Sequence, residues 1–323
     1  MLLRSAAARI VGHALLRSTA RHATTSSVRV ENTPSLKRSL GQHLLVNPSI
    51  LQSIVDASDL LPTDHVLEVG PGTGNLTLLL LGLVDKVTVV EYDHRMINQL
   101  KERFAGELAS EQLEIVHGDF AKMSMGSLPP FDMCVANIPY NISSPVIGQL
   151  LSQPHPSLRG AVLMVQEEFA LRLMATAGTK NYSRLSVNTS FQADVTSVVK
   201  VPRKNFVPPP KVDSRVIKIV LNNTQPPVAQ LAKLDTFLRI AFQRKNKTLR
   251  SQLTSKFAAP FLTTGADPEH TKAIVWGTLE ALGWLDARAI KLTGTQFITL
   301  MDALEDSGLT FLPSTFGTFD KDE

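Results

Sequence analysis

Short apolar runs and helical stripes alternate through the first two thirds of the chain. HVLEVG (His65 to Gly70) is a β-rich run ending in glycine, NLTLLLLGLV reads as a buried helix, and KVTVVEYD (Lys86 to Asp93) is a second strand. RMINQLKERFA has helical spacing, and QLEIVHGDF is a third strand ending in Gly118-Asp119-Phe120. FDMCVANIPY predicts a fourth strand, and RGAVLMVQEEFALRL a fifth that runs into a helix, with Glu167 and Glu168 as helix-start residues. Strands alternating with helices predict parallel βαβ units and an α/β fold built on a doubly wound sheet. Such sheets bind ligands beyond the carboxyl ends of their strands. Gly70, Glu91, Asp119 and Asn137 each fall at such an end, so four spaced positions converge on one crevice.

Beyond the fifth strand the pattern changes. In VPRKNFVPPPKVDSRVIKIVL, Pro208, Pro209 and Pro210 favour an extended polyproline segment, and a strand follows. NNTQPP (Asn222 to Pro227) has the composition of a linker. From about residue 228 the spacing is helical, in LDTFLRIAFQRKNKTLRSQL, EHTKAIVWGTLEALGW and TGTQFITLMDAL, which predicts a small all-helical second domain. The acidic tail FDKDE is expected to fray.

With 323 residues, 43% hydrophobic and 19% charged, the chain has room for two ordinary globular domains. Its longest apolar runs, such as LTLLLLGLV (Leu76 to Val84), are too short to span a bilayer, and no membrane segment is expected. The single cysteine, Cys134, excludes a disulfide framework and a thiolate zinc site, and no metal is expected. The formal charge of +4 is unevenly placed: residues 1–30 hold five arginines (Arg4, Arg9, Arg17, Arg21, Arg29) and no acid, which leaves the remainder at about −1. That Arg-, Ser-, Thr- and Ala-rich start has the pattern of an organelle transit peptide, mitochondrial in our reading, with a chloroplast address or a basic RNA-binding arm as the alternatives.

LEVGPGTGNLT (Leu67 to Thr77) places Gly70, Gly72 and Gly74 between a strand and a helix, where glycines allow a tight turn and close approach of a ligand to the main chain. Glu91, at the end of the next strand, can accept hydrogen bonds from both hydroxyls of a ribose. This much fits NAD, FAD or S-adenosylmethionine. Two details favour the last: a dinucleotide fingerprint needs Gly or Ala where Asn75 stands, and Asp119 can accept from the exocyclic amine of an adenine. In VANIPYNISSP (Val135 to Pro145) an amide, an aliphatic, a proline and a tyrosine follow a buried strand at once. Asn137, Ile138, Pro139 and Tyr140 together would suit a flat ligand with a polar edge.

With these residues in hand, the chain resembles the ribosomal RNA adenine N6,N6-dimethyltransferases. The resemblance runs from about Ser35 to Ser255 through SLGQHLLVNPSIL, VEYD, GDFAK, NIPYNISSP, NYSRLSVNTSF, NFVPPPKVDSRV and FQRKNKTLRSQL. QEEFALRL and QRKNKTL are closer to the eukaryotic and archaeal branch, and the N-terminus makes the chain similar to a mitochondrial member of it. The resemblance implies a Rossmann-like class I S-adenosylmethionine-dependent methyltransferase sheet over residues 31–221, after a transit peptide at 1–30, and a helical RNA-binding domain at 228–315. It implies that His43 and Leu45 help cover the cofactor, although the family often has Asn where His43 stands. Gly70, Gly72, Glu91, Asp119 and Asn137 match the remaining cofactor positions.

The target it implies is a pair of adjacent adenosines in a hairpin loop near the 3′ end of small-subunit rRNA, methylated in the mitochondrial matrix by a monomer that also serves ribosome assembly. The flat ligand is then an adenine taken out of its stack. Asn137 and the carbonyl of Ile138 or Pro139 accept from its N6, while Tyr140 and Phe206 supply stacking faces. For the RNA, RIAFQRKNKTLR would place Arg244, Lys247 and Arg250 near one helix face with Lys245 beside them, a phosphate-neutralising patch rather than a merely solvated one. A rival from another class is a non-catalytic mitochondrial assembly or transcription factor that keeps the fold. The intact NIPY and Glu91 argue against it.

Overall fold

The structure is a computed structural model that describes residue 36 and residues 42–152, 156–222, 226–263 and 268–313. The transit-peptide expectation for residues 1–30 and the expected fraying of the acidic tail lie outside the described residues, as do three positions of the 222–227 linker.

A short strand, β1 (Leu44–Leu45), precedes helix α1 (Pro48–Ala57), which is capped by the Asn47 side chain accepting from Ser49 N. The α/β units then follow: β2 (His65–Val69), α2 (Asn75–Leu81), β3 (Lys86–Glu91), α3 (His94–Arg103), α4 (Ala105–Ala109), β4 (Leu113–His117), β5 (Met133–Asn137), α5 (Ser143–Ser152), β6 (Gly160–Gln166) and α6 (Glu167–Leu173). Next come α7 (Arg184–Ser190), β7 (Ala193–Val201), β8 (Phe206–Val207) and β9 (Ser214–Leu221). The seven-stranded sheet has the order β4-β3-β2-β5-β6-β9-β7. Strands β2 to β6 are parallel, and β9 and β7 close the sheet antiparallel. From β2 the chain winds outward to β3 and β4, then returns to lay β5 on the other side of β2. The crevice opens at that reversal.

The central strands read as continuous apolar runs because both their faces are covered. Along β5 the faces alternate: Cys134 and Ala136 enter one core, Met133 and Val135 the other. Neither α7 nor β7 is among the elements the pattern predicts. The β7 sequence ADVTSVVKV is mostly exposed because it forms a sheet edge, which blunts its apolar signal.

The C-terminal part is helical: α8 (Val228–Phe242), α9 (Leu249–Leu253), α10 (Pro268–Ala281) and α11 (Gly294–Asp306), with a two-stranded clip of β10 (Leu262–Thr263) and β11 (Thr310–Phe311). The expected single helix through RIAFQRKNKTLRSQL breaks after Phe242. Thr248 is extended at the start of α9, the first α9 amide (Leu249 N) donates to Ala287 O at 2.8 Å, and Gln252 Nε2 donates to Arg244 O at 3.0 Å. Tertiary partners thus replace helix continuation across a run of like charges.

Tyr182 and Val187 are buried in the same cluster as Phe237, Phe297 and Leu300 of the helical part. Beside them Arg184 pairs with Asp235 at 3.5 Å and Asn188 Nδ2 donates to Asp235 Oδ1 at 2.6 Å, all three side chains being buried. Among the described residues no helix is long and apolar enough to cross a membrane.

Candidate active site

The loop after β2 is shaped by its glycines. Gly70 has φ +70°, and a β-carbon there would lie 2.9 Å from Pro139 Cδ. Gly74, at φ +80°, begins α2, and a β-carbon on it would lie 2.5 Å from the Phe104 ring. Arg103, in the last turn of α3, donates to the Thr73 carbonyl and, at 3.0 Å, to Asn75 Oδ1, which pins the loop from outside. Glu68, in β2 and only 2% exposed, accepts from Thr77 Oγ1 at 2.6 Å and so staples the strand to α2. Burial pushes its carboxyl up to about 8.

At the end of β3, the Glu91 carboxylate accepts from Tyr92 N and Asp93 N, each at 2.8 Å, and from Gly72 N at 3.3 Å. Burial raises its pKa, while these three amides favour the ionised form. Asp93 caps α3, and its carboxyl is held well below the usual range, chiefly by the hydrogen bond from Arg95. It also accepts from Gln42 Nε2 at 3.0 Å, which anchors the N-terminal segment over the crevice. From there β1 pairs antiparallel with β8, Leu45 opposite Phe206. Asp119, half-buried after β4, accepts from Ala121 N at 3.2 Å and pairs with Lys122 at 3.4 Å.

Asn137 ends β5. Among the described residues its side-chain amide makes no hydrogen bond, although it lines the cavity. Ile138 N donates to Met164 O at 3.2 Å, which holds the strand end in the sheet. Pro139 O accepts from Ile142 N at 3.0 Å, closing the turn over Tyr140–Ile142, whereas the Ile138 carbonyl has no such partner among the described residues. Of the two carbonyls, Ile138 is therefore the open acceptor. The Tyr140 hydroxyl lies 2.6 Å from Ser214 Oγ, a fully buried group at the start of β9.

These residues surround one cavity of about 320 Å³. His43, Leu45, Gly70, Gly72, Glu91, Asp119, Asn137, Ile138, Pro139, Tyr140 and Phe206 all line it. Phe206 differs from expectation in its posture. It is 1% exposed and packed in the core against β1, so it forms wall rather than an open stacking face. The ring that faces Tyr140 is His43, stacked with centroids 5.7 Å apart and planes at 29°, its Nδ1 2.8 Å from Pro208 O.

The expected RNA patch does not share a helix face. Arg244, Lys245 and Lys247 lie in the exposed connection between α8 and α9, and only Arg250 is helical. Arg250 is paired with Asp286 at 3.1 Å and sits over the Trp276 ring at 5.4 Å, while Lys245 donates to the Lys180 carbonyl. Sequence reasoning missed Glu68, Gln42 and Ser214. The signal for Glu68 was there, an acid inside an otherwise apolar strand. Gln42 and Ser214 carry none, since both act through partners distant in the chain. Among the described residues no group of three or more His, Cys, Asp or Glu could hold a metal ion.

A model of the family described as ribosomal RNA adenine dimethylase matches residues 34–268. The chain is 43% identical over 291 residues to a probable dimethyladenosine transferase of Dictyostelium discoideum, covering 85% of this chain and 91% of that protein. It is 40% identical over 289 residues to a dimethyladenosine transferase of Saccharomyces cerevisiae, covering 84% and 89%. The crystal structure of a dimethyladenosine transferase from Plasmodium falciparum superposes with a TM-score of 0.71 at 37% identity, covering 84% of this chain and all of that one.

Proposed function

The chain belongs to the ribosomal RNA adenine dimethylase family, an S-adenosylmethionine-dependent rRNA adenine dimethyltransferase by kind, and on that footing we propose its specific substrate and place of action. It dimethylates N6 of two adjacent adenosines in the 3′-terminal hairpin loop of mitochondrial small-subunit rRNA, and takes part in assembling that subunit. The arginine-rich, acid-free residues 1–30 support the mitochondrial address.

The cavity suits the cofactor. Gly70 and Gly72 put main chain on the cavity wall, Glu91 offers a carboxylate to a ribose diol, and Asp119 offers an acceptor to an adenine amine. When bound, S-adenosylmethionine supplies an electrophilic methyl group on a sulfonium. The observation that carries the reading is the uncommitted Asn137 amide beside the open Ile138 carbonyl, in the same cavity as the glycine loop. Adenine N6 is a poor nucleophile because its lone pair is delocalised into the ring. Two acceptors on its hydrogens, Asn137 Oδ1 and Ile138 O, favour a more pyramidal nitrogen and hold it in line for displacement. The methylated amine is acidic enough to give its proton to water, so no side-chain base is needed. Glu167, at the start of α6, is held bidentate by Arg215 at 2.9 and 2.8 Å. After the first transfer N6 keeps one hydrogen, so either acceptor alone suffices to orient the second. Tyr140 gives the base a face; such stacking is typically worth roughly 1–3 kcal/mol, set against the few kcal/mol of extruding a base.

Mass spectrometry of small-subunit rRNA after loss of the protein tests this. Dimethyladenosine should vanish from the mitochondrial hairpin and persist in cytosolic rRNA. Its persistence in both overturns the assignment. A reporter fused to residues 1–30 should enter mitochondria, and a cytosolic or nucleolar signal would overturn the address alone.

A further inference from the structure

An extruded base stays tethered to its own backbone, so the phosphates on either side of it must lie at the cavity mouth. Residues 205–214 brace one side of that mouth. Asn205 O accepts from Val46 N at 3.0 Å, Phe206 walls the cavity, Pro208 O meets His43, and Ser214 holds Tyr140. Residues 200–215 contain five cations (Lys200, Arg203, Lys204, Lys211, Arg215) and one acid, Asp213. Two of the acids nearby are already paired, Glu167 with Arg215 and Asp213 with Lys200 at 3.4 Å. Arg203, Lys204 and Lys211 are exposed and form no ion pair within 4 Å among the described residues; the Arg203 charge reaches Asp213 and helps hold its carboxyl low, but Asp213 is already shared with Lys200, so this side of the rim stays net positive. Between them Val207 and Val212 are 43% and 45% exposed, an interleaving of cations and apolar surface that fits a single-stranded backbone with unstacked nucleotides. The 244–250 segment is less available, since Arg250 and Lys245 are engaged within the protein.

We propose that Arg203, Lys204 and Lys211 form a phosphate collar that grips the RNA strand on both sides of the target adenosine, with Val207 and Val212 against the neighbouring nucleotides. This rests on the reading of the substrate as an rRNA adenosine. The collar sets how the strand enters the pocket.

The test is the full-length chain carrying Arg203→Gln, Lys204→Gln and Lys211→Gln together, compared with the parent and with a charge-keeping variant (Arg203→Lys, Lys204→Arg, Lys211→Arg). Binding of the rRNA hairpin is measured across salt concentrations, cofactor binding by calorimetry, and methylation by steady-state kinetics. The neutral variant should show a salt slope shallower by about 0.7 per lost contact and a KM for RNA raised on the order of tenfold. Its kcat should change little and its cofactor affinity not at all, which also reports an intact fold. The charge-keeping variant should restore the slope. An unchanged slope and KM overturn the collar, as does a parent that fails to bind the hairpin. A parent that binds without methylating overturns the proposed substrate instead, and the salt slope still decides the collar.

Discussion

The Pro139 ring occupies the space that a β-carbon on Gly70 would need, with its Cδ 2.9 Å from that position. The glycine loop after β2 and the Asn137–Tyr140 segment are therefore in van der Waals contact. Gly70→Ala adds a methyl at φ +70° and drives it into Pro139, which carries Asn137 and Ile138 with it. We expect cofactor affinity to fall on the order of tenfold, from roughly 1–2 kcal/mol of backbone strain, and methylation to fall further. Calorimetry and single-turnover kinetics on the same sample check this. Parent-like values of both would mean the loop and the proline move independently.

On the proposed mechanism, Asn137→Ala removes an interaction needed chiefly in the transition state. Turnover should drop on the order of 10²-fold while hairpin binding, held by phosphates and stacking, changes little. Single-turnover methylation beside a binding curve reads the two separately. A parent rate would reduce Asn137 to a strand terminus.

Tyr140→Phe keeps the stacking face but leaves the buried Ser214 hydroxyl without its 2.6 Å partner. An orphaned buried polar group costs about 1–3 kcal/mol. The single variant should thus be less stable to urea yet retain most of its turnover. The double variant Tyr140→Phe, Ser214→Ala should regain stability, because both partners are gone. If the double variant is less stable than the single, Ser214 serves some other neighbour.

Glu68 gives a pH signature. Its folded pKa of about 8 lies above the ordinary carboxyl value of 4.5, so between the two the folded chain keeps a proton that the unfolded chain has released. Its contribution to stability is full below 4.5 and is lost as pH rises toward 8. Each pKa unit corresponds to about 1.4 kcal/mol. Glu68→Gln should flatten the decline in urea midpoint across this window and be more stable than the parent at its upper end. An identical pH profile for both chains would show that Glu68 is not kept neutral.

Much of this was legible in the sequence, for physical reasons. Strands β2, β3, β5 and β6 announce themselves because central strands covered on both faces demand nearly unbroken apolar runs, and Gly70, Glu91, Asp119 and Asn137 punctuate strand ends. Those four strand ends line one cavity, as their order predicts, together with His43, Leu45 and Phe206, which the family resemblance supplied. What stayed hidden depends on chain-distant partners. Helical spacing could not show that Leu249 N would prefer Ala287 O to its own helix, nor that Phe206 would be sealed by β1 and leave His43 facing Tyr140. Edge strand β7 escaped because an exposed edge carries little pattern.

The buried Arg184–Asp235–Asn188 cluster, with Tyr182 and Val187 inserted among the C-terminal helices, has a mechanical consequence. Helix α7 buries Leu185 in the core under the sheet and Val187 in the core of the helices, so the span between the pocket and the helical part acts as a fixed ruler rather than a hinge. On the reading that the helices bind the stem of the substrate hairpin, its loop must reach the pocket at that one separation. A hairpin lengthened or shortened by a base pair meets a caliper that does not adjust.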